Sequence, residues 1–159
     1  MRYDLRIFAT SNTIDDPRFE LICSERFVGA IPTSHPLANC DSIKLADLQD
    51  EPFIIYKYEH HEEIIQSMCC SAGFTPRVGM TFGMTAHHGL YRAISEGMGC
   101  TIVPELVSRA DWNLSKVKLI PFDDVTRTRN VYAVSASNDP FNADCRFVLD
   151  VIKSRLLFA

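Results

Sequence analysis

The sequence predicts an α/β fold, in which strands alternate with helices along most of the chain. Short runs rich in Val, Ile, Phe and Leu are separated by segments whose apolar residues recur at spacings of three and four, the period of a helix. The chain has 159 residues, of which 47% are hydrophobic and 23% charged, as in ordinary globular proteins. This length suits one domain or two small lobes.

The first half of the chain contains four predicted strands, one helical turn and one amphipathic helix. We expect strands at residues 4–9, 19–31, 53–56 and 75–82, a helical turn at 43–48 and a helix at 60–72. The stretch 19–31 is long enough for one strand or for a strand pair. In the helix, Ile64, Ile65 and Met68 recur at helical spacing, and Gly73 stands where a C-cap belongs.

The second half predicts three strands and up to three helices. We expect strands at residues 100–103, 117–121 and 131–135, and helices that begin at Thr85, at Pro104 and after Asn142. Thr85 and Asn142 are residue types that cap helix N-termini, and Gly97 follows the predicted end of the first of these helices.

Charge and composition exclude several classes of function. Sixteen Lys and Arg against twenty Asp and Glu give a net charge of −4, so we expect no nucleic-acid binding by this chain. Its longest stretches without Asp, Glu, Lys or Arg have 14 residues, too short to span a membrane. The start, Met-Arg-Tyr-Asp-Leu-Arg, lacks the apolar core of a secretory signal, which predicts a cytoplasmic protein. The six cysteines contain no Cys-x-x-Cys and are expected to be reduced thiols.

Two histidine pairs invite a metal or a catalytic interpretation. The run His60-His61-Glu62-Glu63 and the pair Cys69-Cys70 share one predicted helix, but residues 61 and 69 are more than two turns apart. We therefore interpret this segment as a solvated helix start with a half-buried thiol, and we expect neither a metal nor a cofactor. Likewise, no recognisable nucleophile motif accompanies His87-His88, so we predict that the protein is not an enzyme.

Two further motifs lie at the ends of predicted elements. Gly97-Met98-Gly99-Cys100 follows a helix and leads into a strand, the reverse of a phosphate-binding loop, which favours a tight turn. Tyr56-Lys57-Tyr58 ends a strand and precedes a helix, the position where open α/β sheets bind ligands. A cation between two aromatic rings suits an anionic or aromatic small molecule, and tyrosines at a strand end are equally typical of simple packing.

The order of several segments resembles the effector-binding domain of LysR-type transcriptional regulators. The matching segments are DLRI at 4–7, FVGAIPTSHPL at 27–37, IKLADLQDEPFII at 43–55, AGFTP at 72–76 and AISEGMGCTIVP at 93–104. This resemblance implies a two-lobed fold of the periplasmic-binding-protein type II class, with two crossing strands as a hinge and an effector in the cleft. It places the crossing strands at 27–31 and 131–135.

The resemblance also implies a division of the chain. Residues 1–26 would form part of lobe I, 27–136 would form lobe II with the crossing strands, and 137–159 would return to lobe I. The family's DNA-binding domain and the front of lobe I have no counterpart here, so we expect a fragment with one complete and one incomplete lobe. Apolar area left open on the incomplete lobe predicts a homo-oligomer.

Carried over by position, the resemblance predicts the residues that line the effector cleft. They are Phe8, Ala9, Thr10, Tyr56, Lys57, Tyr58, Gly83, Met84 and Thr85. Lys57 is the expected partner of an anionic effector, and the free amides near Thr85 are a second one. The predicted function is a small-molecule sensor whose DNA contacts belong to another domain. The alternative is a solute-binding protein of a transport system, although six thiols and the missing signal peptide speak against it.

Overall fold

The computed structural model describes residues 5–57, 59–83, 87–106, 112–135 and 143–156. It contains seven strands and three helices in these ranges, together with two short 3-10 helices. The strands are β1 (Leu5–Thr10), β2 (Phe19–Pro32), β3 (Pro52–Tyr56), β4 (Arg77–Phe82), β5 (Thr101–Pro104), β6 (Val117–Pro121) and β7 (Thr128–Ser135). The helices are α1 (Glu59–Ser71), α2 (His87–Ser95) and α3 (Ala143–Leu156), and the 3-10 helices are Pro36–Asn39 and Leu45–Leu48.

The α/β class predicted from the sequence is confirmed, and residues 19–31 form one long strand rather than a pair. Gly73 follows α1 with a φ of 91°, as expected of a C-cap glycine. The predicted caps Thr85 and Asn142, and most of the helix predicted after Pro104, lie outside the described residues.

The chain divides into two compact units. Unit 1 consists of Met1–Arg26 and Arg127–Ala159, and unit 2 consists of Phe27–Thr126. The second boundary lies earlier than the predicted end of lobe II at residue 136. The reason is that β7, interpreted from the sequence as a crossing strand of lobe II, pairs along its length with β1 and with the first half of β2. These cross-strand hydrogen bonds place β7 in unit 1.

Unit 1 is a three-stranded antiparallel sheet with one described helix. Its strand order is β1-β7-β2, with Phe8 opposite Tyr132 and Leu21 opposite the same tyrosine on the other side. From α3, Cys145 and Leu149 are buried against Ala133. The buried apolar cluster that the described residues of this unit form is therefore small.

Unit 2 has helices on both faces of its strands. Strand β3 pairs in parallel with β4, a bridge between Phe53 and Cys100 links β3 to the start of β5, and the second half of β2 pairs with β5 and β6. Successive side chains of β3 belong to two different core clusters. Phe53 packs in the cluster that contains Ile65 of α1, whereas Ile54 packs in the cluster that contains Leu90 of α2. This arrangement is that of a doubly wound sheet, whose ligand sites lie at the carboxyl ends of the parallel strands.

Candidate functional site

The carboxyl edge of the parallel pair β3 and β4 brings predicted site residues together. Tyr56 is in register with Phe82, and each is the last residue of its strand. The Lys57 N–H then donates to the Phe82 carbonyl over 2.7 Å, which extends the ladder by one step. Lys57 and Gly83 therefore leave the sheet side by side, and α1 and α2 begin shortly beyond them.

Charge and open space coincide at this edge. The Lys57 side chain is exposed, and within the part of the chain that the structure describes its ammonium makes no ion pair. Gly83 is exposed as well, and a Cβ atom built on it would meet nothing within 4 Å. Tyr56 is half-buried beside them. A cation next to unfilled space is an arrangement that suits a small anion.

His61, in the first turn of α1, forms a hydrogen bond with the last residue of β3. Its Nδ1 accepts a hydrogen bond from the Tyr56 N–H over 3.2 Å, and its Nε2 lies 3.1 Å from the Ile102 carbonyl oxygen of β5. The Tyr56 ring packs against the imidazole with centroids 5.3 Å apart. A nitrogen that accepts from an N–H cannot carry a proton, and the other must carry one to donate to a carbonyl. These contacts therefore require the neutral imidazole protonated on Nε2.

Burial favours the same protonation state. It lowers the pKa of His61 below its ordinary value, and the hydrogen bond to the Ile102 carbonyl opposes this effect only in part. The sequence interpretation of 60–63 as a solvated helix start is thus wrong for His61, although His60 and Glu63 are exposed. One partner of His61, the Ile102 carbonyl, lies 41 residues away along the chain, and the local sequence carries no signal for this contact.

The residues predicted at the end of β1 lie in unit 1. Phe8 packs edge-on against Phe19, with centroids 5.9 Å apart, and stacks on Tyr132. The Thr10 hydroxyl accepts from the Asn12 N–H over 3.1 Å, and Ala9 is exposed. A role for these residues in lining an effector site stays a prediction.

Three predicted site residues, Tyr58, Met84 and Thr85, lie outside the described ranges, as does the side chain of His87. Their part in a binding site also stays a prediction, and so does the second anion contact expected at Thr85.

The cysteines and histidines considered as metal ligands do not converge in the described parts of the chain, where no three His, Cys, Asp or Glu side chains form a group that could hold an ion. On α1, Cys69 is buried and Cys70 is exposed. Burial raises the pKa of the Cys69 thiol to about 12, and it also raises the pKa of the Cys100 thiol. Both are protonated, poorly nucleophilic thiols at neutral pH. None of the described cysteines forms a disulfide bond.

The glycine-containing segment after α2 is a helix end and a tight turn, which confirms the prediction. The Met98 N–H donates to the Ala93 carbonyl and the Gly97 N–H to the Ile94 carbonyl. A Cβ atom on Gly99 would collide with the Pro52 carbonyl oxygen. This close approach lets the Cys100 N–H donate to the same oxygen, which connects β5 to β3.

None of the helices formed by the described residues has the length and apolar character needed to cross a membrane.

Comparison with protein families gives one match that covers almost the whole chain. The profile of the LysR substrate binding domain matches residues 1–157. The transcriptional dual regulator GltC of Bacillus subtilis is 32% identical over 113 residues, which are 69% of this chain and 36% of GltC. A second relative, an HTH-type transcriptional regulator of Methanocaldococcus jannaschii, is covered over 40% of its length. The chain thus spans about a third to two fifths of these relatives.

Two solved structures illustrate the similarity of fold. The regulatory domain of CcmR from Synechocystis PCC6803, in complex with 2-PG, is 19% identical with a TM-score of 0.73, covering 96% of this chain and 73% of that one. The effector binding domain of QuiR, in complex with shikimate, is 23% identical with a TM-score of 0.65, covering 96% and 71%.

Proposed function

The chain belongs to the LysR substrate-binding domain family, and we propose that it senses a small anionic molecule for a transcription regulator that acts in the cytoplasm. The domain is an effector-binding domain of the type found in LysR regulators. DNA binding belongs, in this proposal, to a domain outside this chain, in agreement with the net charge of −4.

One observation carries the proposal of an anionic effector. Lys57 presents an exposed ammonium at the carboxyl edge of a parallel sheet, next to the open space beside Gly83. Ligands of doubly wound folds bind at this edge. Shikimate, held by the related domain of QuiR, is a carboxylic acid, which supports the same chemical class.

Sensing requires no catalytic group. We propose that the effector favours one arrangement of the regulator over another and so shifts a pre-existing equilibrium. Among the described residues, the β3 and β4 edge supplies the Lys57 cation, and no nucleophile lies beside a base there. We propose a sensor and not an enzyme, because the relatives of the chain are transcriptional regulators. The curated relatives are regulators, which does not favour the transport alternative.

A titration series followed by NMR tests the proposed effector class. We would add shikimate, malate or inorganic phosphate to the 15N-labelled chain, with methyl shikimate and dimethyl malate as uncharged controls. The expected result is a saturable shift of the Lys57 and Gly83 amide signals with at least one anion and none with its uncharged control. An absence of shifts with all three anions, or equal shifts with the esters, would overturn the anionic class.

A further inference from the structure

The hydrogen bonds that N–H groups of β3 donate to carbonyls of β5 stop one step short of the sheet edge. The Ile54 N–H donates to the Cys100 carbonyl over 2.8 Å, and the Cys100 N–H donates to the Pro52 carbonyl. In a parallel ladder, the next bond from an N–H of β3 to a carbonyl of β5 runs between the residues two further along each strand. Those residues are Tyr56 and Ile102.

The imidazole of His61 occupies the position of this next bond. The Tyr56 N–H donates to Nδ1 and Nε2 donates to the Ile102 carbonyl, so the ring relays the bond that the two strands do not make directly. One ring inserted between the strands lets their carboxyl ends separate while both backbone groups keep a partner. Separated strand ends are where a doubly wound sheet admits a ligand.

We propose that His61 is a positioning residue of the effector site, which spaces the ends of β3 and β5 and thereby fixes Tyr56 and Lys57. This inference rests on the proposed function for its biological meaning and on the geometry of the relay for its evidence. Lys57 is held from two sides: its own N–H bonds to Phe82 of β4, and the preceding residue is bonded to His61. Loss of the relay would remove one of these two attachments.

The relay demands one acceptor and one donor on the same side chain, and glutamine offers both. Its amide oxygen can accept from the Tyr56 N–H while its NH2 group donates to the Ile102 carbonyl. His61→Gln is therefore the conservative variant and His61→Ala removes the relay. His60→Gln is the matched control, because His60 is the exposed neighbour on the same turn.

The first measurement needs no ligand. In the wild-type chain, 15N NMR should identify His61 as the neutral ring protonated on Nε2. Hydrogen exchange at the Tyr56 amide should be roughly five- to hundredfold faster in His61→Ala than in wild type, and within about twofold of wild type in His61→Gln and His60→Gln. A proton on Nδ1 in the neutral ring, or unchanged exchange in His61→Ala, would overturn the proposal.

The second measurement connects the relay to the site, with inorganic phosphate as the probe. We expect the phosphate-induced shifts at Lys57 and Gly83 to persist in His61→Gln and to weaken in His61→Ala by about threefold or more, a loss of about 0.7 kcal/mol. Equal phosphate binding in both variants would overturn the positioning role.

The two proposals fail separately. If the wild-type chain binds neither phosphate nor the carboxylates, the proposal of an anionic effector is refuted. The tautomer of His61 and the exchange rate of the Tyr56 amide still decide whether the relay exists. If His61→Ala does not fold, the wild-type tautomer and the His61→Gln data decide the same question.

Discussion

Lys57 carries the charge on which the effector class depends. A charge-assisted hydrogen bond contributes roughly 1.5 to 3 kcal/mol, so Lys57→Gln should weaken binding of the anion that shifts the Gly83 amide by roughly 10- to 150-fold. Thermal stability should change little, because the side chain is exposed. Calorimetric titration and thermal melts of both proteins measure these effects. Lys116→Gln, at an exposed lysine before β6, is the matched control; equal affinities of Lys57→Gln and wild type would contradict the prediction.

Thr101 is a polar residue buried in an apolar core. It is fully buried in β5, and its hydroxyl is the one buried side-chain oxygen or nitrogen among the described residues without a hydrogen-bond partner. A buried, unpartnered hydroxyl costs about 1 to 3 kcal/mol. Thr101→Val should therefore raise the free energy of unfolding by about 1 kcal/mol. Thr101→Ser, which keeps the hydroxyl and loses the methyl group, should lower it. Urea denaturation measures both, and a destabilised Thr101→Val would refute the argument.

Protonation of His61 links the candidate site to pH. Burial lowers its pKa in the folded protein, so below its unfolded value of about 6.5 the unfolded chain binds more protons than the folded one. The stability that depends on neutral His61 is complete above about pH 6.5 and is lost as the pH falls toward the folded pKa.

Urea denaturation at pH 7.5 and 5.5 should show a larger loss of stability in wild type than in His61→Gln. The difference cannot exceed about 1.4 kcal/mol per pH unit for one proton, and subtraction removes the groups that titrate alike in both proteins. The exposed His60 makes His60→Gln a control that should follow wild type. An equal loss of unfolding free energy in wild type and His61→Gln between the two pH values would show that protonation of His61 is not coupled to folding.

At the scale of elements, close backbone contacts at two glycines determine how β3 packs between β4 and β5. Gly99 leaves no room for a Cβ atom beside the Pro52 carbonyl oxygen, and a Cβ atom on Gly79 would lie 2.9 Å from the Pro52 side chain. Both glycines let the first residue of β3 fit between β4 and β5. A change at either position must move a strand.

Gly99→Ala should thus destabilise the protein by about 2 kcal/mol or more, since the added methyl group would meet backbone rather than a flexible side chain. Gly83→Ala is the control, because open space surrounds that position, and its stability should match wild type. Thermal denaturation followed by circular dichroism compares the three proteins. Equal melting temperatures of Gly99→Ala and wild type would mean that β5 can shift without loss of stability.

The predicted strands and helices that fall on described residues agree with the structure, because they rest on local pattern. The burial of Phe53 and Ile54 in two different core clusters follows from an apolar run between two helices. In contrast, the assignment of β7 to unit 1 depends on pairs such as Leu5 with Ser135, which local periodicity does not reveal. The candidate edge at Lys57 was predictable from the end of a strand, whereas the relay through His61 arises from two strands that separate.

The last helix carries an exposed apolar surface. Because the lobe is incomplete, the sequence predicts that the face containing Phe147 and Val151 is left uncovered. The structure leaves Phe147 70% and Val151 43% exposed, while it buries Cys145 and Leu149. Among the described residues of unit 1, β1 is the terminal strand of its sheet, with β7 as its neighbour on one side. An exposed apolar helix face and a strand with an unpaired edge both favour association.

We therefore expect this chain to self-associate through unit 1. Sedimentation velocity over a concentration series should show a concentration-dependent dimer or larger species, and Phe147→Lys should weaken the association by removing apolar area and adding like charge. Met98→Lys is the matched control, because Met98 is an exposed apolar residue of unit 2 and its replacement should leave the association unchanged. A monomer at every concentration would refute self-association, and equal effects of the two lysine variants would place the contact outside the exposed face of α3.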